Sequence, residues 1–315
     1  MNIIRQHPHF RALKKQGVTY YDMHYHSDYS MDSSTNIRFI EKRAQMIGCG
    51  IALTDHNVIN GGLELYKRKK IKIIPSIEIT PSELIDIIPY FYKFSDLKEF
   101  YGKYIKDYLR PNIGFNFNRV TWKFDEIINK LRNYRCLITI PHLTAPYPQN
   151  AESFLKGMPK KLLEKIDGFE VLNGLMKRER NERTINAVKD LNKCFVGGSD
   201  GHTLLQMGSV ITLAENSNLE GFLDYIRKKQ NIIMGEELNW SFRKTVQLII
   251  IKNAFILKVK EQAQKPIIKA GQTIEKAAKK TERTVKQVGE KSKEQFRKVQ
   301  KRSKEEYRKI RYGNN

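Results

Sequence analysis

Seven histidines are spread along the 315 residues, and five of them each follow a short apolar run that reads as a strand. These are His24 and His26 in DMHYHSDYSMDS, His56 in ALTDHN, His142 in ITIPHL and His202 in GGSDGH. Carboxylates accompany them: Asp22, Asp28 and Asp32 near the first pair, Asp55 beside His56, Asp200 beside His202, and Glu78 after IIPSI. Side chains alternate along an extended chain, so the H-x-H spacing puts two imidazoles on one face, where both can bind one cation. Neutral imidazole with carboxylate suits zinc, manganese or iron, and mixed nitrogen and oxygen donors suit hydrolysis rather than a structural cysteine site. A single such histidine reads as an ordinary surface or core residue. Five at successive strand ends, four of them beside or near an Asp, read as a metal constellation. His7 and His9, in the charged segment QHPHF, lack that setting and are set aside.

The elements that must position these residues alternate in type. Strands are expected at 18–23, 50–54, 71–75, 136–141, 167–172, 194–198 and 231–234, with a strand-like stretch over 83–94. Helices are expected at 36–47, 62–67, 123–134, 177–193 and 219–230. In the first of them Ile37, Ile40, Ala44 and Ile47 share a face, and Gly48 is a natural stop. Strands alternating with helices predict an α/β architecture with largely parallel strands, whose ends carry the chemistry.

The same pieces, in their order, resemble the PHP (polymerase and histidinol phosphatase) superfamily of metal-dependent phosphoesterases. DMHYHS matches the opening H-x-H motif, ALTDHN the T-D-H motif and IPSIEIT the glutamate strand, followed by IPHL, FEVLN and GGSDGH. The likeness runs from Thr19 to Gly235. It implies a distorted (β/α)7-type barrel, the PHP fold, with two or three divalent metal ions (Mn, Zn or Fe) at the strands' C-terminal ends. It also implies the ligands: His24, His26, Glu78 and Asp200 for one ion, a bridging Glu78 with His142 for a second, and Asp32, His56 and His202 for a third. Two departures stand out. Asp32 lies six residues beyond His26, where the family often has five, with Asp28 the lesser substitute. Asp86 stands where many members carry a histidine; it is either a hard carboxylate ligand favouring manganese or a turn residue before a strand.

The chemistry expected of such a cluster is hydrolysis of phosphate esters by water that the metals activate. No Walker A or G-x-G-x-x-G stretch is present, so nucleoside triphosphate and dinucleotide binding have no support. Asp55 and Asn173 are expected to orient ligands. Lys177, Arg178, Arg180 and Arg183 follow the FEVLN strand, with Arg178 and Arg183 as candidate phosphate contacts and a solvated helix face as the alternative. The aromatic-rich insert 91–122 is either a stacking surface or packing for a loop-helix excursion. A nucleotide or nucleic acid is the candidate substrate; a non-catalytic binding module with a degenerate metal site is the alternative.

Charge divides the chain. Of 57 Lys+Arg and 34 Asp+Glu, residues 241–315 hold 22 and 7, a net of +15, which leaves +8 for residues 1–240. The organisation expected is an N-terminal extension over 1–18, the phosphoesterase domain over 19–240 and a basic amphipathic helical tail over 241–315. In that tail Ile274, Val285, Phe296 and Tyr307 recur every eleven residues, as do Ala277, Val288, Val299 and Ile310. Eleven residues in three turns keep a stripe on one helical face. The stripe fits a coiled coil between copies, a helix lying on an anionic membrane, or a solvated extension ordered by an anionic partner, of which the last is favoured. Three cysteines, none close to another, form no disulfide framework, and no signal peptide or apolar run of about 18 residues is visible. The expected location is cytoplasmic, with the tail able to hold the protein at a membrane or on nucleic acid.

Overall fold

The computed structural model describes residues 1–110, 119–145, 151–215 and 217–239, and beyond them only single positions between 244 and 298. Met1–Phe255 form one compact unit and Ile256–Asn315 a second. Apart from those single positions, the basic tail and its eleven-residue period lie outside the described residues.

The first unit opens with β1 (Asn2–Ile4) and α1 (Phe10–Lys15), then alternates through β2 (Thr19–Tyr25), α2 (Ile37–Ile47), β3 (Gly50–Leu53), α3 (Asn60–Arg68) and β4 (Ile73–Ile74). Next come β5 (Ile88–Phe91), α4 (Phe94–Tyr104), the short strands β6 (Leu109–Arg110) and β7 (Arg119–Val120), and α5 (Phe124–Leu131). The rest is β8 (Cys136–Ile140), α6 (Ala151–Lys156), α7 (Lys160–Glu164), β9 (Gly168–Asn173), α8 (Arg178–Val188), β10 (Cys194–Gly198), β11 (Val210–Ala214), α9 (Leu219–Arg227) and β12 (Ile232–Gly235). This is a mixed α/β fold. One sheet runs β1-β12-β11-β2-β3-β4 and another β10-β9-β8-β5. Backbone bridges join them at two places, Ser76, just past β4, to Tyr90 in β5, and Tyr25 in β2 to Gly201, just past β10. At the second of these junctions Gly198 lies so close to β2 that a Cβ there would sit 2.5 Å from the backbone nitrogen and Cβ of His24.

Local chemistry accounts for the elements. Asn36 caps α2 by accepting from Arg38 N, Gly48 ends it at φ +69°, and Ile37, Ile40, Ala44 and Ile47 are buried as their spacing predicts. β2 is buried along its whole length, as a strand covered on both faces must be. The segment 83–94, expected as one strand-like stretch, divides: β5 occupies Ile88–Phe91, and the loop before it carries Asp86. β11 has no counterpart among the expected strands. It lies between β2 and β12, antiparallel to both. Residues 2–4, read from sequence as extension, pair in parallel with β12. The three cysteines are free and buried.

Candidate metal centre

Period two along β2 brings Asp22, His24 and, just past its end, His26 to one face, all three fully buried. Asp22 works at the base: its carboxylate accepts from the backbone and hydroxyl of Ser199 (2.9 and 2.6 Å), from Gly208 N (2.9 Å) and from His24 N (3.3 Å). This ties the strand carrying His24 to the turn carrying Asp200. Asp55, past the end of β3, does the same for the next loop, accepting from the backbone and hydroxyl of Ser27 (2.6 and 2.7 Å). His142 and Asp200, which follow β8 and β10, have φ of +28° and +50°, in the left-handed region that non-glycine residues seldom occupy. Two backbone bonds hold the second of these turns against β2, from Asp200 N to His24 O (2.8 Å) and from His26 N to Gly201 O (2.9 Å).

The side chains converge on Glu78. Its Oε2 lies 3.2 Å from His24 Nε2, 3.3 Å from His26 Nε2 and 3.5 Å from His56 Nε2. Its other oxygen, Oε1, lies 3.0 Å from His142 Nε2. Asp200 Oδ1 completes the first group, 3.4 Å from His24 Nε2 and 3.3 Å from His26 Nε2. Asp32 Oδ2 faces His56 Nε2 at 3.2 Å and His202 Nε2 at 3.0 Å. Asp86 Oδ2 is 3.9 Å from His142 Nε2, while Asp86 Oδ1 accepts from Thr80 Oγ1 at 2.7 Å. Several triads of these residues bring their donor atoms within 4.8 Å of one another, including His24–His26–Glu78, His26–Asp32–His56 and His56–Glu78–Asp86.

Two features show that this donor set fits divalent cations. The Nε2 atoms of His24 and His26 face each other at 3.1 Å with Glu78 Oε2 and Asp200 Oδ1 each within 3.4 Å of both, so two nitrogen and two oxygen donors point at one place. His26 Nδ1, His142 Nδ1 and Asp32 Oδ1 are buried with no hydrogen-bond partner, and such atoms are rare without an ion or water to satisfy them. With protons as the only cations the charges polarise strongly. Burial opposes the charge on His24, yet Asp200, Glu170 and Glu78 hold its pKa well above the usual imidazole range. Burial likewise opposes His56 and His142, but Glu78 and its neighbouring carboxylates push each up to about 9. Against their own burial, Glu78 and Asp32 are held well below the carboxylate range by the surrounding imidazoles. Asp86 is raised, by burial and then by Glu78.

All nine side chains expected as ligands therefore meet in one buried cluster, Asp86 included. Asp28 is exposed and bonded to Asn36 instead. Asn173 donates from Nδ2 to both Glu170 (2.8 Å) and Asp200 (3.2 Å). The two arginines expected at the substrate phosphate have other partners: Arg178 pairs with Glu237 at 3.3 Å and Arg183 pairs with Glu152. Arg180 donates to Thr144 O (2.5 Å), two residues beyond His142. His7 faces Glu236, and His9 caps α1. One residue of the site was not singled out from sequence. Glu170, central in β9, faces His24 Nδ1 with Oε1 (3.1 Å) and accepts with Oε2 from His142 N (3.0 Å) and Asn173 Nδ2 (2.8 Å). The polar residue inside the apolar run GFEVLN was the signal available for it.

The family model for the PHP domain matches residues 22–261. No curated protein matches the chain. Among solved structures, PsfC from Pseudomonas syringae is 13% identical with a TM-score of 0.50, over 76% of this chain and 99% of that one. The lesion-specific endonuclease PfuEndoQ from Pyrococcus furiosus is 19% identical with a TM-score of 0.53, over 69% of this chain and 57% of its own. Endonuclease Q in complex with a 27-mer duplex substrate bearing an abasic lesion is 17% identical with a TM-score of 0.53, over 70% of this chain and 60% of its own. At these identities the likeness is one of fold.

Proposed function

Because this chain belongs to the PHP domain family, we propose that it is a metal-dependent phosphoesterase acting on nucleotides or nucleic acid. The observation that carries the reading is the two-sided Glu78, one oxygen toward His24, His26 and His56 and the other toward His142. Such a carboxylate is placed to bridge two ions. On this reading His24, His26, Glu78 and Asp200 would hold one divalent ion, Glu78, His142 and Asp86 a second, and Asp32, His56 and His202 a third. The carboxylate at position 86 favours a hard ion such as manganese in the second place. The bridges at Ser76–Tyr90 and Tyr25–Gly201 support taking β2, β3, β4, β5, β8, β9 and β10 as the staves of a distorted barrel. The Endonuclease Q complex with its duplex supports nucleic acid as the substrate class. The net charge of +15 on residues 241–315 supports a tail that brings the enzyme to an anionic partner.

Divalent ions in this cluster would supply Lewis acidity toward phosphoryl oxygens and acidify water. The chain's own groups set the geometry. Glu170 accepts the Nδ1 proton of His24, which leaves Nε2 as the free lone pair on the cluster side. Asp22 and Asp55, through Ser199 and Ser27, fix the turns that carry Asp200 and His26. Asn173 holds the carboxylates of Glu170 and Asp200 in register. Asp86, buried and bonded to Thr80, is part of the cluster rather than a surface turn, which weighs against a degenerate site.

Metal content of the purified protein, with hydrolysis of a phosphomonoester and a phosphodiester under added manganese, tests the proposal. His24→Ala is expected to lose metal and turnover together. Full activity in that variant would refute it.

A further inference from the structure

β6 and β7 pair as an antiparallel ribbon whose register sets Leu109 opposite Val120 and Arg110 opposite Arg119. Alternation turns Leu109 and the fully buried Val120 to the core, and leaves Arg110 exposed and Arg119 partly exposed on the other face. Like charges directly opposite each other on an antiparallel pair repel. Among the described residues neither arginine has a carboxylate partner, and the contact Arg119 makes is with the carbonyl oxygen of Ser82 at 3.5 Å. Glu83, on the same loop, turns instead to the Ser82 hydroxyl (2.9 Å) and to Phe124 N (3.0 Å) at the start of α5. The register thus sets two arginines directly opposite each other on the exposed side of the ribbon, and among the described residues no carboxylate pairs with either.

The ribbon is fastened to the metal centre. Val120 N donates to Thr80 O (2.9 Å), and Ser82 N donates to Trp122 O (2.9 Å). Thr80 Oγ1 in turn donates to Asp86 Oδ1 (2.7 Å). Two hydrogen bonds therefore lead from the arginine-bearing strand to a carboxylate of the cluster. A guanidinium presents a planar fork that matches phosphate oxygens in pairs, and two arginines opposite each other on one face of a ribbon offer two such forks to a repeating phosphate backbone.

We propose that Arg110 and Arg119 form a second phosphate subsite, which takes a backbone phosphate of a nucleic-acid strand next to the phosphate held at the metal centre. This deepens the phosphoesterase reading and rests on it for the identity of the first phosphate. It makes the substrate a strand with several phosphates. A compound with one phosphate occupies the metal centre alone and does not reach the arginine pair.

The test uses the full chain as wild type, as Arg110→Gln with Arg119→Gln, and as Arg110→Lys with Arg119→Lys. Affinity for a short single-stranded oligonucleotide is followed by fluorescence anisotropy over a range of salt, beside steady-state turnover of a phosphomonoester and of the oligonucleotide. Losing two phosphate contacts should flatten the log–log salt dependence of binding by about 1.4, at about 0.7 for each contact with a single strand. The Gln pair should raise KM for the oligonucleotide and leave monoester turnover unchanged, and the Lys pair should restore most of the salt slope because it keeps the charge. An unchanged slope in the Gln pair would overturn the proposal. So would a loss of binding confined to phosphatidylserine vesicles, which would assign the pair to a membrane. If wild type hydrolyses neither substrate, the phosphoesterase reading fails, while the salt slope still decides whether the pair binds a strand.

Discussion

Replacing Glu170 by Gln removes one charge from a residue that contacts none of the proposed metal positions directly, yet it should strip metal from the site. The carboxylate faces three donors, His24 Nδ1 (3.1 Å), His142 N (3.0 Å) and Asn173 Nδ2 (2.8 Å). A glutamine has one oxygen and one NH2, so it cannot serve all three. With its oxygen toward His24, its NH2 points at two other donors and leaves both buried and unsatisfied, at about 1–3 kcal/mol each. With its oxygen toward His142 and Asn173, its NH2 requires His24 Nδ1 to accept. The proton then sits on Nε2, the atom that faces His26, Glu78 and Asp200. Either outcome damages the first ion site, and loss of such an orienting partner typically costs about 10–100-fold in metal affinity. That is about 1.4–2.8 kcal/mol of binding free energy. Titration of the chelator-stripped variant with manganese or zinc, by calorimetry against wild type, measures it. Wild-type affinity and stoichiometry in Glu170→Gln would refute the assignment of Glu170 as the group that sets His24's tautomer.

The metal-stripped protein should lose thermal stability as pH rises from about 6.5 through about 9, because His56 and His142 are raised to about 9 and bind protons in the folded state that the unfolded chain releases near 6.5. That contribution is fully present below the unfolded value and gone above the folded one; melting curves in excess chelator, compared with metal-saturated protein, check it, and a midpoint that climbs over this window without metal would refute it. Gly198→Ala should displace β10 from β2, since the added methyl would meet His24 N and Cβ at 2.5 Å; a destabilisation of about 1–3 kcal/mol and reduced metal content are expected from denaturant unfolding and elemental analysis, and wild-type values in both would refute the close approach.

The sequence carried the donor types and much of their placement. H-x-H at the end of an apolar run can only send both imidazoles to one side, and the helical spacing of Ile37, Ile40, Ala44 and Ile47 predicts the buried face of α2. These are properties of local geometry, repeated every two or every three to four residues. What local geometry does not encode is which groups meet across the fold. Glu170 reads as one polar residue in a strand until β9 is set beside β8 and β10, which puts it against a histidine 146 positions earlier. Asp86 reads from sequence as either a turn residue or a ligand, and its burial beside His142 and Thr80 comes from the loop that precedes β5. β11 is a short apolar, β-branched run, VITLA, and its place between β2 and β12 comes from pairing across the fold. Arg178 and Arg183, just after the site strand, read from sequence either toward a substrate phosphate or as a solvated helix face, and helix α8 sets them beside Glu237 and Glu152. The order of residues along the chain supplies the chemistry, imidazole and carboxylate at strand ends. Tertiary structure decided which of those groups share a cation and which hold the others in place, because hydrogen bonds and charges act through a few ångströms of space regardless of how far apart the residues lie along the chain.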